Sequence, residues 1–170
     1  MRYHAVACDY DGTLAHNGRI NDETVAALEN LRASGRRLIM VTGRELDDLR
    51  QNFSRLDLFE RVVAENGALL YHPKDRKERS LAEPPREDFL RLLVKRGVGP
   101  ISVGRSIVST WEPHETTVLE TIRDLGLELQ VIFNKGAVMV LPSGVNKATG
   151  LKAALDDLGL SPHNAVGIGD

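Results

Sequence analysis

The sequence predicts an α/β fold: a parallel sheet with helical crossovers, interrupted after its third core strand by a small α+β insert. Three observations carry this reading. Short apolar runs at Tyr3–Cys8, Arg37–Val41, Arg61–Ala64 and Ala165–Ile168 read as strands buried on both faces. Helical patterns separate the first three runs, which argues for parallel pairing with right-handed crossovers. The middle of the chain then breaks this rhythm.

The first helix spans Asp22–Ser34, with Val25, Leu28, Leu31 and Arg32 at helical spacing. Asn21 or Asp22 caps it and Gly35 stops it. A second helix covers Glu45–Leu56, with Leu46, Leu49 and Phe53 on one face. The polar stretch His72–Pro85 (HPKDRKERSLAEPP) reads as a loop. After it come a helix at Arg86–Arg96, a strand near Ser106–Trp111 and a helix near His114–Leu125. Strands Leu127–Phe133 and Ala137–Leu141 follow, joined through Asn134-Lys135-Gly136 as a tight hairpin. Trp111 either packs in the core of this insert, which is the expectation, or faces a substrate. Lys147–Leu158 returns to the helical pattern, with Leu151, Ala154, Leu155 and Leu158 inward and Gly159 as its stop. The expected division is residues 1–70 and 142–170 for the core, and 71–141 for the insert.

Composition narrows the function classes. A net charge of −2 provides no field to hold a nucleic-acid backbone. One cysteine excludes a disulfide framework and a Cys-rich zinc site. Acidic residues follow the first few positions at once, unlike a signal peptide. No apolar run approaches the roughly 18 residues that span a bilayer. A cytoplasmic protein with neither nucleic-acid nor membrane partners is expected.

The chemistry concentrates after the first strand. Asp9 and Asp11 stand two residues apart where an open α/β sheet binds ligands, and Gly12 permits a sharp turn there. Paired carboxylates repel unless a cation neutralises them or one holds a proton. Hard oxygen donors without a Cys or His cluster favour Mg²⁺. One carboxylate can attack phosphorus while the other moves protons. An EF-hand loop beginning at Asp9 would need a glutamate where Ile20 stands, so an EF-hand is excluded.

Thr42-Gly43-Arg44 ends the second strand, and its hydroxyl suits a phosphate oxygen or, more plainly, a helix cap. Arg44 either reaches a substrate anion or covers the helix start. Lys147 opens a helix against the macrodipole, which neutralising phosphate and carboxylates would explain. Gly167-Ile168-Gly169-Asp170 delivers a further acid after a strand. Asp9, Asp11, Thr42 and Asp170 each follow a predicted parallel strand and therefore share one rim.

These segments resemble, in order, the four motifs of the haloacid dehalogenase-like phosphatases: Asp9-Tyr10-Asp11-Gly12-Thr13-Leu14, Val41-Thr42-Gly43-Arg44, Lys147, and Gly167-Ile168-Gly169-Asp170. Ala64-Glu65-Asn66-Gly67-Ala68 is similar to the segment before the cap in the sugar-phosphatase branch, whose type II cap lies between the second and third motifs. The resemblance implies a Rossmann-like core carrying that cap. It implies Asp9 as nucleophile and metal ligand, and Asp11 as general acid/base and metal ligand through its backbone carbonyl. Thr42, Gly43 and Lys147 would hold the phosphoryl oxygens, and Asp170 would bind the metal.

The implied activity is Mg²⁺-dependent hydrolysis of a small phosphomonoester, a sugar phosphate or phosphoglycolate-like acid, through an aspartyl-phosphate. A phosphomutase shares all these residues. A phospho-acceptor signalling domain would need its acceptor Asp on a middle strand, where Glu65-Asn66-Gly67 stands instead. The family's fourth motif continues beyond Asp170 into a second acid. The chain is therefore expected to be a C-terminally shortened copy or fragment, with Ala165–Ile168 as an exposed sheet edge open to self-association. The alternative function is a catalytically impaired fragment or a phosphate-binding regulatory domain of a longer protein.

Overall fold

The structure is a computed structural model and describes residues 3–169. It divides into two compact units, Met1–Leu81 with Asn146–Asp170, and Ala82–Val145.

The first unit is built on β1 (Ala5–Asp9), α1 (Asp22–Ala33), β2 (Arg37–Val41), α2 (Leu46–Asn52), β3 (Arg61–Ala64), β4 (Leu69–His72) and β5 (Lys77–Ser80). The second unit contributes α3 (Glu87–Lys95), β6 (Ser102–Val103), β7 (Val108–Trp111), α4 (Glu115–Asp124), β8 (Leu129–Asn134) and β9 (Ala137–Pro142). The chain then returns to the first unit with α5 (Lys147–Asp157) and β10 (Ala165–Ile168).

Among the described residues the core sheet has six strands in the order β10-β1-β2-β3-β4-β5. The pairs β1–β10, β1–β2 and β2–β3 are parallel, while β4 and β5 add antiparallel. Alternate residues of the central strands face opposite layers. Val6, Cys8, Leu38, Met40 and Val62 pack with Leu28, Leu46 and Leu49 of α1 and α2. Ala5, Ala7, Ile39, Val41 and Val63 pack with Ala154 and Leu155 of α5. The Asn21 side chain caps α1 by accepting from the Thr24 amide.

Two expectations for this unit are corrected. The second helix stops at Asn52, and a 3₁₀ turn at Leu56–Leu58 follows. Phe53, Leu56, Leu58 and Phe59 are all buried; the extended Phe53 breaks the helix between α2 and this turn. The larger correction concerns His72–Pro85, which is not simply a loop. His72 ends β4, and β5 pairs along it from Leu69↔Ser80 to His72↔Lys77. All four residues of β5 are exposed, so its ladder is held by backbone groups and carries no apolar signal. Charged residues on an edge strand also discourage further pairing. The inserted unit therefore begins at Ala82 and ends at Val145, and not at the expected residues 71 and 141.

The second unit is a four-stranded antiparallel sheet, β6-β7-β9-β8, with α3 and α4 on one face. Phe89, Leu93, Val108, Val118, Val138 and Val140 form its core. Lys135 and Gly136 both have positive φ, 50° and 84°, as the tight hairpin between β8 and β9 requires. Trp111 is not in this core. It alternates away from the buried Thr110 and is 54% exposed.

Candidate active site

Asp9 is the last residue of β1, and the chain turns sharply after it. The Tyr10 carbonyl accepts from the Leu14 and Ala15 amides, and Gly12 has φ 82°. The Tyr10 hydroxyl donates to the Gly18 carbonyl at 3.0 Å, tying the following loop back to the strand. The Thr13 hydroxyl oxygen is buried with no hydrogen-bond partner among the described residues. A buried polar atom of this kind is normally satisfied by water or ligand.

Lys147, 138 positions away, donates from Nζ to Asp9 Oδ1 at 2.8 Å. A lysine at a helix N-terminus is unfavourable against the macrodipole, and the Asp9 charge offsets that cost. Asn146 closes a capping box with Thr149, fixing where α5 begins.

Thr42 is fully buried. It is not the cap of α2, whose N-cap is Glu45. Its Oγ1 accepts from the Arg44 amide at 3.1 Å, which leaves its own proton to donate. Gly43 packs against Asn66, whose Oδ1 would lie 3.2 Å from any Cβ added at Gly43.

Arg44 neither caps nor stands free. Its Nε and Nη2 donate to Asp11 Oδ2 and Oδ1, both at 2.8 Å, and its Nη1 donates to Asp48 Oδ2 at 2.8 Å. The guanidinium lies 5.0 Å over the Tyr10 ring. The hydrogen bond to Asp11 holds its pKa above the usual arginine value. Burial pushes the Cys8 thiol up to about 11, so Cys8 is an inert core residue.

Glu65, Asn66 and Gly67 hold these pieces together. Asn66 donates its amide to the Thr42 carbonyl at 3.0 Å, and Glu65 donates to the Arg44 carbonyl at 2.9 Å. Glu65 and Asn66 both take positive φ, 52° and 54°, an uncommon conformation for side chains other than glycine. Gly67 abuts the start of α5: a Cβ there would lie 2.0 Å from the Asn146 carbonyl oxygen. Gly150, inside α5, would place a Cβ 2.5 Å from Val63 Cγ1 and 2.6 Å from Gly67 Cα. This turn therefore sets both the Thr42-Gly43-Arg44 turn and the helix that carries Lys147. From the sequence, a glycine inside an amphipathic helix was the signal available for Gly150. Asp48 lies four residues after Arg44, and that spacing, at which a helix pairs opposite charges, was its only signal.

The structure thus brings Asp9 to Lys147, Asp11 to Arg44, and Thr42-Gly43 to Asn66. Asp170 lies outside the described residues. Among those described, no group of three or more His, Cys, Asp or Glu is placed to hold a metal. Asp9 and Asp11 offer hard oxygens only. That donor set fits Mg²⁺, which takes one or two carboxylates together with water and substrate phosphate, and does not fit a closed zinc or calcium cage.

Residues 6–110 match the haloacid dehalogenase-like hydrolase family. The chain belongs to this family. It is 29% identical over 175 aligned residues to a phosphoglycolate phosphatase of Methanothermobacter thermautotrophicus, covering 98% of this chain and 76% of that protein. Its fold matches that of a haloacid dehalogenase-like hydrolase from Bacteroides thetaiotaomicron with a TM-score of 0.79 at 15% identity, over 99% of this chain and 82% of the other. A subclass IIB sugar phosphatase of the superfamily superposes with a TM-score of 0.73 at 19% identity, over 96% and 79% of the two chains. No helix among the described residues is long and apolar enough to cross a membrane.

Proposed function

We propose that this hydrolase is a cytoplasmic, Mg²⁺-dependent phosphatase of small phosphorylated metabolites, working through phosphorylated Asp9. The observation that carries the reading is the Lys147–Asp9 contact at the rim of a parallel sheet, beside the buried Thr42 and the Gly43 turn. A carboxylate paired with a mobile cation, next to a hydroxyl and an open amide, suits attack on a phosphoryl group.

In this reading an Asp9 oxygen attacks phosphorus, and the ester bond to the leaving oxygen breaks as Asp11 supplies a proton. Water then attacks the phosphorylated Asp9, giving its proton to Asp11, and inorganic phosphate leaves. Lys147, the Thr42 hydroxyl and the Gly43 amide hold the phosphoryl oxygens throughout. Asp9 and Asp11, with Asp170, are the residues that would hold Mg²⁺, which supplies positive charge at the phosphoryl oxygens when bound. Phosphoglycolate-like acids and sugar phosphates are the substrate classes favoured, following the names of the relatives.

The test is release of p-nitrophenol from p-nitrophenyl phosphate with and without Mg²⁺, by this chain and by Asp9→Asn. Metal-dependent release that the substitution abolishes supports the reading. Release that survives Asp9→Asn refutes the nucleophile. No release from either supports a phosphate-binding or impaired domain instead.

A further inference from the structure

We infer that β8 is the contact strand of a homodimer, pairing antiparallel with β8 of a second copy of this chain about a two-fold axis at Val131. The inference concerns the second unit alone. It goes beyond the phosphatase reading and is independent of it.

The first observation is how the molecule treats its strand edges. β5 closes one side of the six-stranded sheet with Lys77, Glu78, Arg79 and Ser80, all exposed. Charge on an edge discourages pairing with another chain. β6, at one side of the four-stranded sheet, has only two residues. β8, at the other side, runs for six residues from Leu129 to Asn134 (LQVIFN) with no charge, proline or glycine. A long, apolar, unguarded edge is a template for another strand.

The second is which backbone groups that edge presents. Lys135 and Gly136 form a two-residue hairpin turn, so the flanking pair Asn134↔Ala137 exchanges both of its hydrogen bonds. Alternation then turns Ile132 and Gln130 toward β9 as well, and the Ser143 amide donating to the Glu128 carbonyl at 3.2 Å continues the pattern. Leu129 stands opposite Pro142, which has no N–H to give, as a non-bonded pair allows. The N–H and C=O groups of Leu129, Val131 and Phe133 therefore point away from β9, where no strand meets them among the described residues.

The third is that this edge is complementary to itself. Antiparallel pairing centred on Val131 sets Leu129 opposite Phe133 of the second copy. It pairs all the outward residues of β8, making about six backbone hydrogen bonds. Any other register with these groups in phase leaves one of them opposite a residue outside β8. Leu129 and Val131 pack against the helix-covered core, and Phe133, two residues on, lies on the same face yet is 55% exposed. The pairing covers its ring with Leu129 of the second copy. Charge selects the same arrangement. Glu128 precedes β8 and Lys135 follows it, both exposed. The two-fold axis brings each Glu128 beside Lys135 of the other copy, whereas parallel pairing sets like charge against like. The product is one continuous sheet of twice four strands with the helices of both copies on one face. A strand pair is small beside the roughly 1,200–2,000 Å² of stable interfaces, so the dimer should dissociate at micromolar concentration.

The experiment is sedimentation velocity on the full chain from about 1 to about 300 µM, with a far-UV circular dichroism spectrum of each variant. Wild type should pass from monomer to dimer across this range. Val131→Pro removes the central outward N–H and no bond to β9, a place where an edge strand accepts proline, so it should keep its spectrum and stay monomeric. Phe133→Lys, at an exposed side chain, tests the same edge without touching the backbone and should raise the dissociation constant about tenfold. Glu128→Lys should weaken the dimer, and adding Lys135→Glu to it should restore the wild-type constant. Val131→Cys places two thiols at the axis, where the Cα atoms of a hydrogen-bonded pair stand about 5.5 Å apart, within disulfide range. Diamide should link Val131→Cys into a covalent dimer and leave Ser80→Cys, on the charged β5 edge, monomeric.

A wild type that is monomeric throughout overturns the inference and leaves the edge to a strand of a different protein. A dimer that survives both Val131→Pro and Phe133→Lys overturns it too, because another surface then joins the copies. Failure of Lys135→Glu to rescue Glu128→Lys, with no cross-link at Val131→Cys, overturns the antiparallel register. None of these outcomes bears on turnover, so the phosphatase reading stands or falls by its own test.

Discussion

Gly150→Ala is a substitution on which general helix propensity and the local packing disagree. In an exposed helix interior, alanine is favoured over glycine by about 1 kcal/mol. Here a Cβ would stand 2.5 Å from Val63 Cγ1 and 2.6 Å from Gly67 Cα. Carbon atoms pack at about 3.5–4.0 Å, so α5 must move outward by roughly 1 Å. Val63 is fully buried and Gly67 is itself pressed against the Asn146 carbonyl, so neither can yield. Overpacking of this kind costs about 1–3 kcal/mol, enough to cancel the propensity gain and leave a net loss of up to about 2 kcal/mol. A loss of that size lowers Tm by up to roughly 8 °C in a chain of this length. The functional effect should exceed the stability effect. Lys147 lies in the first turn of the same helix, and its Nζ must stay 2.8 Å from Asp9. A misplacement of about 1 Å in such a site costs on the order of 10²-fold in rate. Thermal unfolding by circular dichroism and kcat/KM on p-nitrophenyl phosphate measure the two effects separately. A Gly150→Ala protein with raised Tm and unaltered kcat/KM would refute the claim that this close approach sets the site.

Three further outcomes are expected. Lys147→Ala should reduce kcat/KM by about 10²-fold or more with little change in Tm, because the lysine is half-exposed and its role is electrostatic. Cys8, 1% exposed and with its thiol pushed up to about 11, should resist thiol reagents at pH 8 in the folded protein and react at once in urea. Burial raises the Asp157 pKa, but the Arg61 hydrogen bond and the charges of Arg61, His72 and Arg79 outweigh it, so the net shift is downward. Its stabilisation is therefore present above the unfolded value near 3.9 and lost as pH falls through the lower folded value. Urea midpoints of wild type and Asp157→Asn should differ at pH 7 and converge as the pH falls through the lowered folded value of Asp157.

How much of this was legible in the sequence depended on whether the signal was a buried side chain. Arg37–Val41, Arg61–Ala64 and Ala165–Ile168 are strands with the bounds their apolar runs indicate. β2 and β3 are apolar because helices and neighbouring strands cover them, whereas Gly167 and Ile168 of β10 are exposed. β5 was invisible for the opposite reason: Lys77, Glu78, Arg79 and Ser80 are all exposed, and only backbone pairing to β4 makes them a strand. Arg50 reinforces that hairpin, bonding Glu78 at 3.1 Å and lying 4.6 Å over Tyr71, but such contacts leave no periodicity. Misreading this one hairpin moved the start of the inserted unit by about ten residues. Trp111 was misjudged by the general rule that a large aromatic belongs inside; the alternation of β7 around Thr110 decides otherwise.

The site shows the same division between chemistry and placement. Asp9, Asp11, Thr42 and Lys147 could be singled out because carboxylates, a hydroxyl and a lysine at strand and helix ends have few structural reasons to be there. What the sequence withheld is how they are kept apart and together. Five charges meet here, and the structure resolves them into two separate groups: Asp9 with Lys147, and Arg44 with both Asp11 and Asp48. The separation depends on residues without chemistry of their own. Asn66 adopts a left-handed backbone so that its amide reaches the Thr42 carbonyl, and Gly67 has no side chain so that α5 can begin where it does. A β-branched residue at position 66 would meet the left-handed penalty of about 1–2 kcal/mol. It would also loosen the turn that holds Arg44, so Asn66→Val should lower turnover by a larger factor than its stability loss alone accounts for. Asn66→Gly, which tolerates the same φ, should recover most of the stability. If the two variants lose turnover equally, the Asn66 side chain against Gly43 matters more than the backbone conformation it adopts.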